Sequence, residues 1–102
     1  MLEIRPNCEY CDKDLPPDAD DAMICTYECT FCQQCVAEIL ENVCPNCGGG
    51  FTPRPIRPKT ARRKGVSLAY QQAATKRVHT KFGLDEIKAF SALAKTIDPK
   101  AR

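Results

Sequence analysis

Eight cysteines fall between residues 8 and 47 of this chain: Cys8, Cys11, Cys25, Cys29, Cys32, Cys35, Cys44 and Cys47. Their spacing reads C-x2-C, 13 residues, C-x3-C-x2-C-x2-C, 8 residues, C-x2-C. Two intervening residues let both sulfurs of a pair turn toward one ion while neighbouring backbone amides donate to them. Eight thiolates make two tetrahedral four-sulfur sites, the donor set and geometry that suit structural zinc. The first 51 residues hold no histidine, so an open catalytic zinc carrying a water would have to give up a cysteine. Two structural Zn2+ ions are therefore the expected cofactors.

Other uses of the cysteines fit less well. Disulfides belong to oxidising compartments. The opening Met1-Leu2-Glu3-Ile4-Arg5-Pro6-Asn7 shows no charged start followed by an apolar run, and no stretch approaches 18 apolar residues. A cytoplasmic protein that does not enter membranes is the expectation. Cys29-x2-Cys32-x2-Cys35 copies most of a bacterial iron–sulfur run, but Ile39 stands where its fourth cysteine belongs. Asp12, Asp14, Asp18, Asp20 and Asp21 crowd one loop without the glycine and closing Glu of a calcium loop, and read as a solvated segment.

Size makes metal a necessity. The chain has 102 residues, and its 43% hydrophobic content counts all 8 cysteines, with 4 Phe, 3 Tyr and no Trp. A cysteine module of about 50 residues buries too little surface to be stable by itself. A small metal-stabilised α+β fold is the class that remains. Within it, Val36, Ile39, Leu40 and Val43 recur at helical spacing and predict a short helix packed on Ile24, Phe31 and Phe51.

The formal net charge of +2 hides an asymmetry. Residues 1–51 hold 2 basic and 10 acidic residues, a net of −8, and residues 52–102 hold 13 basic and 3 acidic, a net of +10. Eight thiolates with two zinc ions would add −8 and +4, moving the head from −8 to −12.

The segments Cys29-Thr30-Phe31-Cys32-Gln33-Gln34-Cys35 and Cys44-Pro45-Asn46-Cys47 resemble the RING-type cross-brace zinc finger, with cysteine at the usual histidine position. That resemblance implies interleaved ligation, with Cys8, Cys11, Cys32 and Cys35 on one zinc and Cys25, Cys29, Cys44 and Cys47 on the other. Sequential ligation, as in tandem zinc ribbons, is the alternative. The 8 residues between Cys35 and Cys44 are short for a ribbon hairpin and suit a short helix. RING domains commonly act as ubiquitin ligases, but Gly48 stands where a basic residue often follows the last ligand, and the chain has no Trp.

A closer likeness runs through residues 1–58. The opening to Cys8, Cys11-Asp12-Lys13-Asp14-Leu15-Pro16-Pro17, Cys44-Pro45-Asn46-Cys47-Gly48-Gly49 and Arg54-Pro55-Ile56-Arg57-Pro58 resemble a family of short bacterial proteins known only as a domain of unknown function. It implies a bacterial cytoplasmic zinc protein.

Beyond the cysteines the sequence divides into a RING-like zinc domain over 1–52, a Pro/Arg/Lys-rich linker over 53–65 and a basic helical tail over 66–102. Pro53, Pro55 and Pro58 predict an extended, semi-rigid linker. Helices are expected at about 67–82 and 86–97. The first has Ser67 as N-cap and Gly83 as stop, and the second has Asp85 as N-cap with Ile87, Phe90, Leu93, Ala94 and Ile97 on one face. Arg54, Arg57, Lys59, Arg62, Arg63, Lys64, Lys76, Arg77 and Lys81 form a run without an acid, candidate contacts for an anion or nucleic acid. His79, the one histidine, reads as a surface residue.

No catalytic residues emerge, and no small-molecule substrate is expected. The reading is a non-enzymatic structural zinc protein acting as a protein-interaction module, with self-association through the tail. A nucleic-acid-binding regulator is the alternative, and a ubiquitin-ligase-like or redox enzyme comes third.

Overall fold

Between the first two cysteine pairs the chain prepares a short hairpin. In the computed structural model, which describes residues 1–102, β1 (Ala22–Ile24) pairs antiparallel with β2 (Thr30–Cys32), Met23 opposite Phe31. A third strand, β3 (Thr52–Pro53), pairs with the other edge of β1, giving the order β2-β1-β3. The chain then enters a single turn of helix, α1 (Gln33–Cys35), which widens into a π-turn over Val36–Leu40. Glu41 and Asn42 both adopt left-handed backbone and stop the turn, with the Asn42 amide donating back to the Val36 carbonyl. Most of the expected stripe is thus buried by a wider turn: Val36 and Leu40 from the π-turn and Val43 from the loop beyond it, with Ile39 half-buried.

The core lies where these pieces meet. Leu15, Phe31 and Leu40 are fully buried among the cysteines, and Phe31 meets Phe51 edge to face at 5.5 Å. Ile24, expected there, is half-buried at the end of β1, where Ala22 is the buried residue.

The second half departs furthest from expectation. Residues 67–82 form no helix but an irregular strap laid beside the N-terminal segment. The Ala74 amide donates to the Glu3 carbonyl, Val78 exchanges two hydrogen bonds with the Asn7 side chain, and the Thr80 amide donates to the Glu9 carbonyl. Each pairing has a sequence offset of 71, so residues 74–80 run alongside residues 3–9 in the same direction. Amides that a helix would have used internally are taken by the head, a tertiary override of local propensity. Arg77 fixes the register by donating to Asp12 and Asp14 at 2.7–3.0 Å.

The expected linker also fails to run free. Its boundary at Pro53 falls inside β3, and Arg54 is only 5% exposed. The Arg54 guanidinium donates to the carbonyls of Arg5, Leu15 and Pro16, and that of Arg57 to Leu2 and Gln71.

The last helix, α2 (Leu84–Ala94), is capped at Gly83 rather than Asp85, the Glu86 carboxylate accepting from the Gly83 amide. It docks on the π-turn through Ile87 and Ser91, leaving Phe90 and Leu93 exposed, as is Ile97 in the turn that follows. Lys88 donates to the Glu38 carbonyl near the end of the turn, and Lys95 and Ser91 meet the Glu41 carboxylate beside it. No helix is long and apolar enough to cross a membrane.

The Asn7 side chain, with no exposure, is the buried link between strap and head. Asn7→Ala should speed amide exchange at Val78 by about tenfold or more, since the lost hydrogen bonds to a buried group are together worth about 1–3 kcal/mol. Hydrogen exchange followed by mass spectrometry checks this, with protection at Phe31 unchanged.

Candidate metal centre

The cysteines are held in place by backbone turns of one kind. In the first pair, Asp12 follows Cys11 in left-handed backbone and its amide donates to the Cys8 carbonyl at 3.0 Å. In the last pair, Gly48 takes the same role, donating to the Cys44 carbonyl at 2.7 Å with φ 79. In the middle pair, Glu28 precedes Cys29 with φ 65 and donates to the Cys25 carbonyl. Backbone amides also reach the sulfurs, from Tyr27 to Cys25 at 3.3 Å and from Gly49 to Cys47 at 3.4 Å. Such N–H···S bonds orient a thiolate and offset its charge.

These turns bring Cys8, Cys11, Cys32 and Cys35 together, all four sulfurs within 4.8 Å of one another. Cys11 and Cys32 stand 3.8 Å apart. Four sulfurs at about 2.3 Å from a tetrahedral ion would lie about 3.8 Å from each other, so the group fits one metal. Three of the four are buried and Cys11 is exposed.

A second group joins Cys25, Cys44 and Cys47 within the same limit. Cys29 stands outside it, turned toward the Asn46 amide, which donates to its sulfur at 3.4 Å. Hydrogen bonds from Cys44, Asn46 and Cys25 bring Cys29 down to about 5, a thiolate at neutral pH. Burial pushes the neighbouring Cys25 up to about 11. One charge shared among crowded sulfurs produces this spread, and a divalent ion would remove it by holding every sulfur as thiolate.

Several supporting residues carry no signal in the cysteine pattern. Glu9, inside the first pair, is 2% exposed and joins the Arg5 guanidinium at 3.0 Å. Burial raises its carboxyl above the ordinary value, against the pull of the Thr30 amide and Arg5. Arg5 in turn favours the Cys29 thiolate. Asn46, read at first only as a spacer of Cys44-Pro45-Asn46-Cys47, is the donor to Cys29.

Of the nine candidate anion contacts, Arg54, Arg57 and Arg77 are spent inside the molecule. Lys81 lies over the Phe82 ring at 5.4 Å. Lys59, Arg62, Arg63, Lys64 and Lys76 are exposed. His79 is exposed beside Asp12.

Fold and site together define a small α+β protein with two cysteine groups suited to metal. The profile of the family described as "Protein of unknown function (DUF1272)" matches residues 1–57, and the chain belongs to that family. It is also similar to "Uncharacterized protein R02474" of Rhizobium meliloti (strain 1021), 59% identical over 64 residues, spanning 63% of this chain and 76% of the relative. No solved structure matches it.

Proposed function

We propose that this is a structural two-zinc protein with interleaved ligation. Cys8, Cys11, Cys32 and Cys35 hold one ion, and Cys25, Cys29, Cys44 and Cys47 hold the other. The observation that carries the reading is the first group, in which all four sulfurs lie within 4.8 Å of one another and those of Cys11 and Cys32, 21 positions apart in sequence, stand at 3.8 Å. An all-sulfur donor set favours zinc over harder cations. At the second site a small turn of Cys29 away from Asn46 would complete the set.

The zinc supplies cross-linking charge, not chemistry. Four thiolates saturate each ion, leaving no position for water or substrate, so the protein is non-enzymatic. Its metal-built head is a scaffold, and the exposed Phe90 and Leu93 on α2, with Ile97 just beyond it, give it a surface for protein contacts.

Metal analysis with paired Ser replacements tests the ligation. The intact protein should hold two zinc per chain. Cys8/Cys11 and Cys32/Cys35 replacements should each leave one zinc and lose the same site. If Cys32/Cys35 instead empties the site emptied by Cys44/Cys47, ligation is sequential and the proposal fails.

A further inference from the structure

The chain from Pro58 to Gln71 is not helical, yet it is highly ordered by its own hydrogen bonds. The Leu68 amide donates to the Pro58 carbonyl at 2.9 Å and closes the loop at its base. At the tip, Val66 donates to Arg63 across a tight turn whose third residue, Gly65, has φ 77. That left-handed position favours glycine, and a Cβ there would meet nothing within 4 Å, so the tip projects into open solvent. Gln71 clasps the interior: its side chain donates to the Gly65 carbonyl at 2.9 Å and accepts from the Ser67 amide at 3.2 Å. Ser67 itself is 1% exposed.

This closed loop presents Lys59, Arg62, Arg63 and Lys64, every one exposed and none in an ion pair with the rest of the chain. The acidic head, by contrast, already pairs Asp12 and Asp14 with Arg77 and Asp21 with Lys13. The loop's cations are therefore left without a carboxylate partner, although Asp18 of the acidic head lines the same recess as Lys59. Tyr70 stands on the same loop with 65% of its surface exposed. Beside the loop base a recess of about 340 Å³ opens between Pro17, Ile56, Pro58 and Leu68, with Lys59 and Asp18 on its rim.

We propose that this loop binds single-stranded nucleic acid, with Arg62, Arg63, Lys64 and Lys59 on successive phosphates and Tyr70 stacked on a base. A preorganised cluster of guanidinium and ammonium groups suits phosphate oxygens. An exposed ring beside such a cluster is the recurring pattern for an unpaired strand, whose bases are free to stack. A flat anionic membrane would also attract the loop, but it offers the exposed Tyr70 ring no base to stack on. A single strand is narrow enough to meet the loop alone. The proposal rests on the loop and not on the metal reading.

Fluorescence anisotropy tests it, using the zinc-loaded full chain and a labelled mixed-sequence single strand of about 15 nucleotides. The logarithm of the binding constant should fall linearly with the logarithm of salt, with a slope of about −3 for four phosphates. The triple variant Arg62→Ser, Arg63→Ser, Lys64→Ser should flatten that slope to about −1 and weaken low-salt binding by about 100-fold. Tyr70→Ala should weaken binding by about 5- to 100-fold with the slope unchanged. These side chains are exposed, and unchanged melting temperature and zinc content confirm that the variants fold. Absence of low-salt binding, or binding that the triple variant leaves intact, overturns the proposal. So does equal or tighter loop-dependent binding to duplex DNA or to phosphatidylglycerol vesicles.

Discussion

Removing metal with a strong chelator is expected to abolish the cooperative thermal transition of this protein. Its largest fully buried side chains are few, led by Phe31, Leu15, Leu40 and Ile87, and the rest of the core is largely cysteine. Without an ion, those sulfurs are a set of crowded polar groups with opposed tendencies, Cys29 toward the thiolate and Cys25 toward the thiol. Structural zinc sites contribute on the order of 10–16 kcal/mol each, which exceeds the whole net stability of a typical small domain. Circular dichroism should show loss of the α2 signal as well, because Ile87 docks on the metal-built core. Acidification should act in the same direction, since protons compete for the thiolates. An unchanged transition in metal-free protein would show that the sulfur groups are not what holds the fold.

Arg54→Leu is expected to have the largest effect among single substitutions outside the cysteines. The residue is 5% exposed and faces no carboxylate; burial lowers its pKa, and only three carbonyl oxygens, at 2.8–3.2 Å, hold its charge. Those carbonyls belong to Arg5, Leu15 and Pro16, so one fork ties β3 to the loop that carries the first cysteine pair. Leucine fills part of the volume but leaves the acceptors without a donor, a loss of about 3 kcal/mol. In a domain of this size that lowers Tm by roughly 12–24 °C, measured at fixed zinc concentration. Arg54→Lys should recover only part of the loss, because one ammonium on a flexible stem does not reproduce the fork. A melting temperature within a few degrees of the parent would mean that water replaces the guanidinium.

The contrast between cysteines and tail shows which physics a sequence displays. The spacing of Cys8, Cys11, Cys32 and Cys35 states a local requirement, two sulfurs per turn, and the structure gathers those four. The helical content at 33–40 and 84–94 follows from periodicity and caps. Residues 67–82 read as a helix because Ser67 suits a cap, Gly83 a stop, and Tyr70, Ala73 or Ala74, Val78 and Phe82 one face, but the partners of Ala74, Val78 and Thr80 lie 71 positions away. Nothing local announces a pairing at that distance. On α2 Ile87 is buried as its periodicity predicts, but Ser91 rather than Phe90 is buried beside it, and its hydroxyl meets Glu41 at 3.3 Å. Polar groups turn inward where acceptors elsewhere in the chain need donors, as Ser91 does toward the Glu41 carboxylate. Arg54 looked like a linker charge and proved to be a core residue for the same reason.

The strap that runs beside residues 3–9 also sets an order of events at the ribosome. All eight cysteines have been made once Cys47 is added, yet Asn7 and Glu9 must wait for Val78 and Thr80. The 33 residues from Cys47 to Thr80 take roughly 2–7 s to synthesise at bacterial and eukaryotic rates of about 5–20 residues per second. During that interval a nascent chain has its ligands but not the strap that pairs with residues 3–9, and those residues are among the last to reach their final place.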